Sequence, residues 1–211
     1  VATASIARPI AENRAPPTAA AIPASIAASA APTRAAPGGS RSGSATVAEQ
    51  SPWNPPRYTD TSMPIGFYDD WVKAADEESK HFNLMCDCLE ELGSHYGALP
   101  AHAGMWRAAD DTADDLFGRL AVVPMVLEAR GLDVTPGMIK LFEQAKADSA
   151  VNALNTIYAE EVAHVAYGSK WFHFLCGRHE KDPKVAFHAL VRQYFHGLLK
   201  PPFNEEKRAE A

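Results

Sequence analysis

Glu78-Ser79-Lys80-His81 and Glu161-Val162-Ala163-His164 are the stretches that decide the fold of this 211-residue chain. Each has the pattern Glu-x-x-His, and each lies among apolar residues that recur with the period of an α-helix. Residues three apart share one face of a helix, so each stretch presents a carboxylate and an imidazole at the same place. One copy arises by chance in many helices, whereas two copies on apolar faces indicate a shared site.

The sequence around these stretches has a helical pattern from Met63 onward, and no convincing strand is found. Pro124 lies inside the second predicted helix, where we expect a kink. Gly131 is expected to cap that helix, and Thr135-Pro136 to begin the next. The fold class is therefore all-α, a helical bundle. The predicted helices span about residues 66–92, 105–130, 136–147, 150–176 and 182–199, and the third either continues or bends into the fourth.

Residues 1–56 differ from the rest, because Ala, Pro, Ser, Thr and Arg dominate them. Such a composition buries too little apolar area to offset its chain entropy, so this segment is predicted to be disordered. Three explanations stay open: a native tail, a transit-like targeting segment, or a fragmentary or frame-shifted reading. Residues 57–208 form the predicted helical domain.

The bulk composition narrows the classes of function. The net charge of -6 makes a nucleic-acid partner unexpected. Three cysteines are few and odd in number, which argues against a disulfide scaffold. Such a cysteine content fits a reducing compartment. No run approaches the ~18 apolar residues of a membrane span. We expect a cytoplasmic protein without membrane contact, or a mitochondrial one if residues 1–56 are a transit segment.

The chemistry of the two stretches is that of a metal site. Carboxylates and neutral imidazoles suit iron, manganese and zinc, and a carboxylate on a buried helix face is costly unless it is paired or metal-bound. Glu128 is a further lone carboxylate on an apolar face, 33 residues before Glu161. Surface ion pairs remain the alternative, with Arg130 as the partner of Glu128. The predicted ligands are Glu78, His81, Glu128, Glu161 and His164.

Three neighbours of these ligands are candidates for an outer layer. Glu77 and Glu160 precede the two motif glutamates, and each could accept the spare N–H of the opposing histidine. Solvent-facing acids are the alternative. Tyr158 lies one turn before Glu161 and could approach the metals, or it is a core tyrosine with a satisfied hydroxyl.

Residues 76–82, 119–134 and 160–165 resemble an uncharacterised family of ferritin-like proteins, a domain of unknown function in the ferritin-like superfamily. Trp171-Phe172 and residues 200–204 fit the same pattern, and the resemblance covers about residues 62–208. It implies a ferritin-like bundle with a di-metal carboxylate centre. More distantly, the fold is similar to that of the di-iron hydroxylase acting on a modified tRNA adenosine. The family itself implies no substrate.

One departure from the family concerns the region just before residue 57. Family members carry there a helix with a His-Ile-Glu type motif, whose Glu supplies a fourth carboxylate. In this chain Glu49 is the nearest acid, and Pro52, Pro55 and Pro56 would break a helix behind it. We therefore expect one bundle helix and one ligand to be missing.

Two functions follow as expectations. The first is a di-metal protein, with two irons or manganese and iron, that uses O2 to oxidise or hydroxylate a small or nucleoside-like substrate. The second is a non-catalytic bundle with an incomplete metal site, which binds a partner or a second copy through the groove left by the missing helix. Iron storage is a weaker third option. No catalytic residue, substrate or redox partner is predicted.

Overall fold

The computed structural model describes residues 63–211, and all regular structure in that range is helical. This confirms the all-α prediction for those residues. The predicted disorder of residues 1–56 and the predicted loss of a first bundle helix lie outside the described range. The elements are α1 (Ile65–Glu91), α2 (Gly104–Asp111), α3 (Leu116–Val122), a π-helical segment (Val123–Glu128), α4 (Ala129–Ala145), α5 (Asp148–Arg178), α6 (Pro183–Tyr194) and α7 (Glu205–Glu210).

Helices α1 and α5 pack side by side and run antiparallel. Near the start of α1, Asp70 accepts a hydrogen bond of 2.8 Å from the indole of Trp171, near the end of α5. Further along α1, His81 Nε2 lies 2.8 Å from Glu160 Oε2, nearer the start of α5. Residue numbers therefore rise along one helix as they fall along the other.

The continuous run of α3, the π-helical segment and α4 also packs antiparallel on α5. Leu120 shares an apolar cluster with Phe172, and Phe142 shares another with Leu154. Between them, the side chain of Pro124 fills the space where a Cβ on Gly168 would stand, only 2.5 Å from its ring carbons. The absence of a side chain at residue 168 therefore lets the π-helical segment approach α5 closely. The irregularity predicted at Pro124 is this π-helical segment.

The predicted helix end at Gly131 and helix start at Thr135-Pro136 are wrong, because α4 runs through both. Gly131 does not adopt the left-handed conformation of a C-cap glycine. Pro136 has no N–H to donate to the carbonyl of Leu132, and the side chain of Asn204 donates to that carbonyl instead, at 3.2 Å. Tertiary contacts thus satisfy the group that the proline leaves unpaired.

Other boundaries also differ from the prediction. The expected helix over residues 105–130 is broken after Asp111, and Asp115 caps α3 by accepting from the Gly118 N–H at 3.0 Å. Lys146, in the left-handed conformation, separates α4 from α5. Helix α6 ends at Tyr194, and α7 was not predicted. None of the helices within residues 63–211 combines the length and apolar character needed to cross a membrane.

Candidate metal centre

The two Glu-x-x-His pairs meet between α1 and α5, where all four side chains are buried. The exposed fraction is 5% for Glu78 and 4% for Glu161, and it is 0% and 1% for the two histidines. Apolar clusters lie on either side of this polar layer along α5, one around Leu154 and the others around Val165 and Phe172. The four polar side chains are therefore enclosed within the core.

Each motif carboxylate faces both motif imidazoles. Glu78 Oε1 lies 3.3 Å from His164 Nδ1 and 3.6 Å from His81 Nδ1. Glu161 Oε2 lies 3.5 Å from His164 Nδ1, and its Oε1 lies 3.9 Å from His81 Nδ1. The ring centroids are 5.8 Å apart. Both carboxylates thus lie between the two Nδ1 atoms, and ligand atoms of Glu78, Glu161 and His164 fall within 4.8 Å of one another.

The outer nitrogen of each imidazole contacts a carboxylate from the opposite helix. His81 Nε2 lies 2.8 Å from Glu160 Oε2, and His164 Nε2 lies 3.0 Å from Glu77 Oε2. An imidazole that donates its Nε2–H in this way keeps the Nδ1 lone pair directed at the centre. The structure therefore brings Glu77 and Glu160 to the positions that the sequence suggested for an outer layer.

Two lysines that the sequence analysis did not single out extend these pairs toward solvent. Lys80 donates to Glu160, and Lys73 Nζ lies 3.8 Å from Glu77. Lys73 precedes Glu77 by one helical turn, which is the spacing of an intrahelical ion pair and was visible in the sequence. The contact of Lys80 crosses between helices, so it had no local signal.

Glu128, at the end of the π-helical segment, contributes a third carboxylate to the same region. Its Oε2 is buried without a hydrogen-bond partner. Burial raises the pKa of Glu128 well above its ordinary value, and the negative charges of Glu161 and Glu78 raise it further. Glu128 is thus close enough to Glu161 and Glu78 to interact with their charges, although the three residues whose ligand atoms lie within 4.8 Å of one another do not include it.

The unpaired polar atoms of the core are concentrated in this layer. Within residues 63–211, seven buried side-chain atoms have no hydrogen-bond partner. A buried polar atom without a partner costs about 1–3 kcal/mol, and one cation among several lone pairs would satisfy many of them together. The donor set therefore fits a metal. The atoms are both oxygens of Glu78 and Glu161, Oε2 of Glu128, and Nδ1 of His81 and His164.

The contacts of the site favour positive charge on the imidazoles and negative charge on Glu78. Burial alone would raise the pKa of Glu78, but its contacts with His164 and His81 lower it to about 2. Burial alone would lower the pKa of His164, but Glu161 and Glu78 raise it to about 11. A metal ion would displace the imidazole proton, as metal binding to histidine requires.

The hydroxyl of Tyr158, a candidate for the outer layer of the metal site, has a hydrogen-bond partner in the C-terminal segment. The hydroxyl accepts a hydrogen bond of 2.8 Å from the side chain of Asn204. Asn204 belongs to the C-terminal segment, whose Arg208 forms two contacts of 2.7 Å with the buried carboxylate of Asp133. Tyr158 therefore helps to anchor the C-terminal segment. The short helix α7 had no signal in the sequence, so this role of Tyr158 was not predicted.

Comparison with known proteins shows the family of this chain. Residues 53–211 match a family described as "Protein of unknown function (DUF455)". An "Uncharacterized protein" of Haemophilus influenzae is 41% identical over 147 residues, which cover 70% of this chain and 51% of that protein. The chain thus spans about half the length of this relative. No solved structure matches. The predicted membership of an uncharacterised family is confirmed, while the ferritin-like assignment stays a prediction. The chain belongs to the DUF455 family.

Proposed function

We propose that this protein is a ferritin-like bundle that binds two metal ions, two irons or manganese with iron, and uses O2 to oxidise or hydroxylate a substrate. One observation carries the proposal. The seven unpaired buried atoms all belong to the five residues whose types and spacing predict a metal site. Buried carboxylate oxygens and imidazole nitrogens gathered at one place are donors for metal cations, and a bound cation would satisfy several of them together.

The positions of the side chains support two metals rather than one. The Nδ1 atoms of His81 and His164 would each serve one ion. Glu78 and Glu161 each face both Nδ1 atoms, so each could contribute to holding the metal ions. Glu128 would serve as a further ligand at one end of the site.

The protein's own groups would set the orientation and charge of the ligands. Glu160 and Glu77 hold the two imidazoles in the tautomer with a free Nδ1, and Lys80 holds Glu160 in turn. The apolar layers above and below exclude water from the carboxylates. Open coordination positions on a carboxylate-rich metal site would admit O2 or a substrate. When bound, reduced iron supplies the electrons for oxygen chemistry.

The first experiment measures metal content. The full chain is reconstituted with Fe(II) without oxygen, and iron per chain is determined after removal of free metal. We expect up to two irons per chain, and fewer in Glu161→Gln. Glu143→Gln is the matched control, because Glu143 is an exposed residue of α4. Iron near zero, or iron unchanged in Glu161→Gln, would contradict the metal centre.

A second measurement separates metal binding from oxidation. The iron-loaded protein is mixed with oxygenated buffer, and oxygen consumption is followed together with the change in iron oxidation state. We expect consumption that Glu161→Gln abolishes. Iron binding without oxygen consumption would contradict the oxidase part of the proposal and favour the non-catalytic bundle.

A further inference from the structure

A cavity separate from the metal-centre ligands lies where α2 meets the end of α6. Its volume is about 420 Å³, within the range of about 300–1,000 Å³ that is usual for small-molecule sites. Its more apolar lining comes from Ala108, Leu127 and Phe195. Leu127 precedes Glu128 in the π-helical segment, so the cavity and the metal centre share this segment. The metal-centre proposal assigns no role to the cavity.

One cation of the cavity lining has no side-chain partner among the residues that the structure describes. Among residues 63–211, none forms an ion pair or hydrogen bond with the guanidinium of Arg107, which lines the cavity. The lining also holds one acid, Asp111, whose Oδ2 lies 3.7 Å from His196 Nε2. Arg107 is therefore a cation of the lining that none of the residues 63–211 pairs with.

A histidine adds a second donor. His102 Nδ1 accepts the backbone N–H of Gly104 at 3.0 Å, which leaves the proton of a neutral imidazole on Nε2. Both Arg107 and His102 line the same cavity. A guanidinium and an imidazole N–H beside an apolar wall match a ligand that has an anionic head and an apolar body.

We propose that this cavity binds a small organic anion, with its carboxylate or phosphate on Arg107 and His102 and its apolar body against Leu127 and Phe195. The planar guanidinium binds either oxyanion through two parallel hydrogen bonds. The site does not depend on a metal, so it is tested on the full chain without added iron.

The test is a titration followed by amide resonances of the ¹⁵N-labelled full chain, with Gly104 and Gly197 of the cavity lining as reporters. Benzoate is the anionic probe, benzamide is its neutral counterpart, and inorganic phosphate lacks the apolar body. We expect saturable shifts with benzoate and weaker binding of both other probes. Shifts that benzamide reproduces, or no saturable shift with benzoate, would overturn the proposal.

The variant Arg107→Gln should weaken benzoate binding about tenfold or more, the effect of losing hydrogen bonds to a charged group. Arg107→Lys keeps the charge and should bind better than Arg107→Gln. Arg192→Gln is the matched control, because Arg192 is an exposed residue of α6 outside the cavity lining. Equal binding by Arg107→Gln and the control would overturn the proposal even if the metal centre is correct.

Discussion

The two adjacent glutamates at each motif point in different directions. Adjacent residues on a helix lie about 100° apart, so Glu78 and Glu161 face the centre while Glu77 and Glu160 reach across to the opposite helix. The doublets Glu77-Glu78 and Glu160-Glu161 thus form two equivalent carboxylate–imidazole pairs. Their sequence was sufficient to suggest both positions, because the helical period fixes the angle between neighbours.

Glu160→Gln tests the orienting carboxylate. We expect iron affinity to fall about 10- to 100-fold, because the variant weakens the partner of the His81 N–H and its ionic contact with Lys80. Affinity is measured by anaerobic titration of Fe(II) against a competing chelator. Glu90→Gln, at an exposed position of α1, should bind as the unchanged chain does. An equal affinity in both variants would remove Glu160 from the site.

Asp133 is a buried carboxylate outside the metal centre, and its contacts stabilise the fold. Burial would raise its pKa, but Arg208, the Asn204 backbone N–H and Arg130 together lower it below the ordinary 3.8. A lowered pKa in the folded state stabilises the protein above the unfolded pKa. That contribution is lost as the pH falls through the folded value. The ion pair therefore stabilises the attachment of α7 at neutral pH.

Asp133→Asn should lower the free energy of unfolding by about 1–3 kcal/mol at pH 7, because Arg208 and the Asn204 N–H lose a charged acceptor. The difference from the unchanged chain should shrink below about pH 4. Urea unfolding at pH 7 and pH 3 measures both. Asp87→Asn, on an exposed face of α1, is the control. A difference that persists undiminished at pH 3 would contradict the ionic explanation.

Helix α4 shows where local signals mislead. Gly131 and Thr135-Pro136 are strong local signals for a helix end and a helix start. Leu132 between them, however, is fully buried and packs with Val165 of α5. The carbonyl that Pro136 leaves free is satisfied by Asn204, far along the chain. A local sequence pattern carries no information about a partner so far along the chain. The sequence analysis therefore predicted a helix end where α4 continues.

Gly131→Ala distinguishes the two descriptions of α4. A helical glycine replaced by alanine stabilises by about 0.5–1 kcal/mol, and a Cβ at residue 131 would meet no atom within 4 Å. A left-handed capping glycine would instead be destabilised. Gly93→Ala supplies that contrast, since Gly93 has φ of 71°. Thermal unfolding of both variants should give shifts of opposite sign, and a lower unfolding temperature for Gly131→Ala would contradict the continuous helix.

Across the whole molecule, the long helices and the meeting of the two motifs followed from periodicity. A buried face with two Glu-x-x-His pairs has few other ways to satisfy its charges, so α1 and α5 had to pair. The break near Asp115 and helix α7 were not predicted, and at Pro124 the sequence predicted a kink but not its π-helical form. Each depends on contacts between distant segments, such as Tyr194 with Asp115 at 2.8 Å and Asn204 with Tyr158. Tertiary contacts decided these boundaries, whereas the strongly patterned helices were decided locally.

The buried charges should make the stability of the molecule depend on metal. A ligand that binds only the folded state at 100 times its Kd adds about 2.7 kcal/mol, or roughly 5–11 °C in Tm for a chain of this size. We expect such a rise on anaerobic addition of Fe(II), measured by scanning calorimetry. Glu128→Gln should lose most of the rise. Its metal-free Tm should stay unchanged or increase, because the substitution removes the charge of a half-buried carboxyl whose buried Oε2 is unpaired. Glu143→Gln should keep the full rise. A Tm that iron leaves unchanged would contradict the metal centre, and a full rise in Glu128→Gln would remove Glu128 from it.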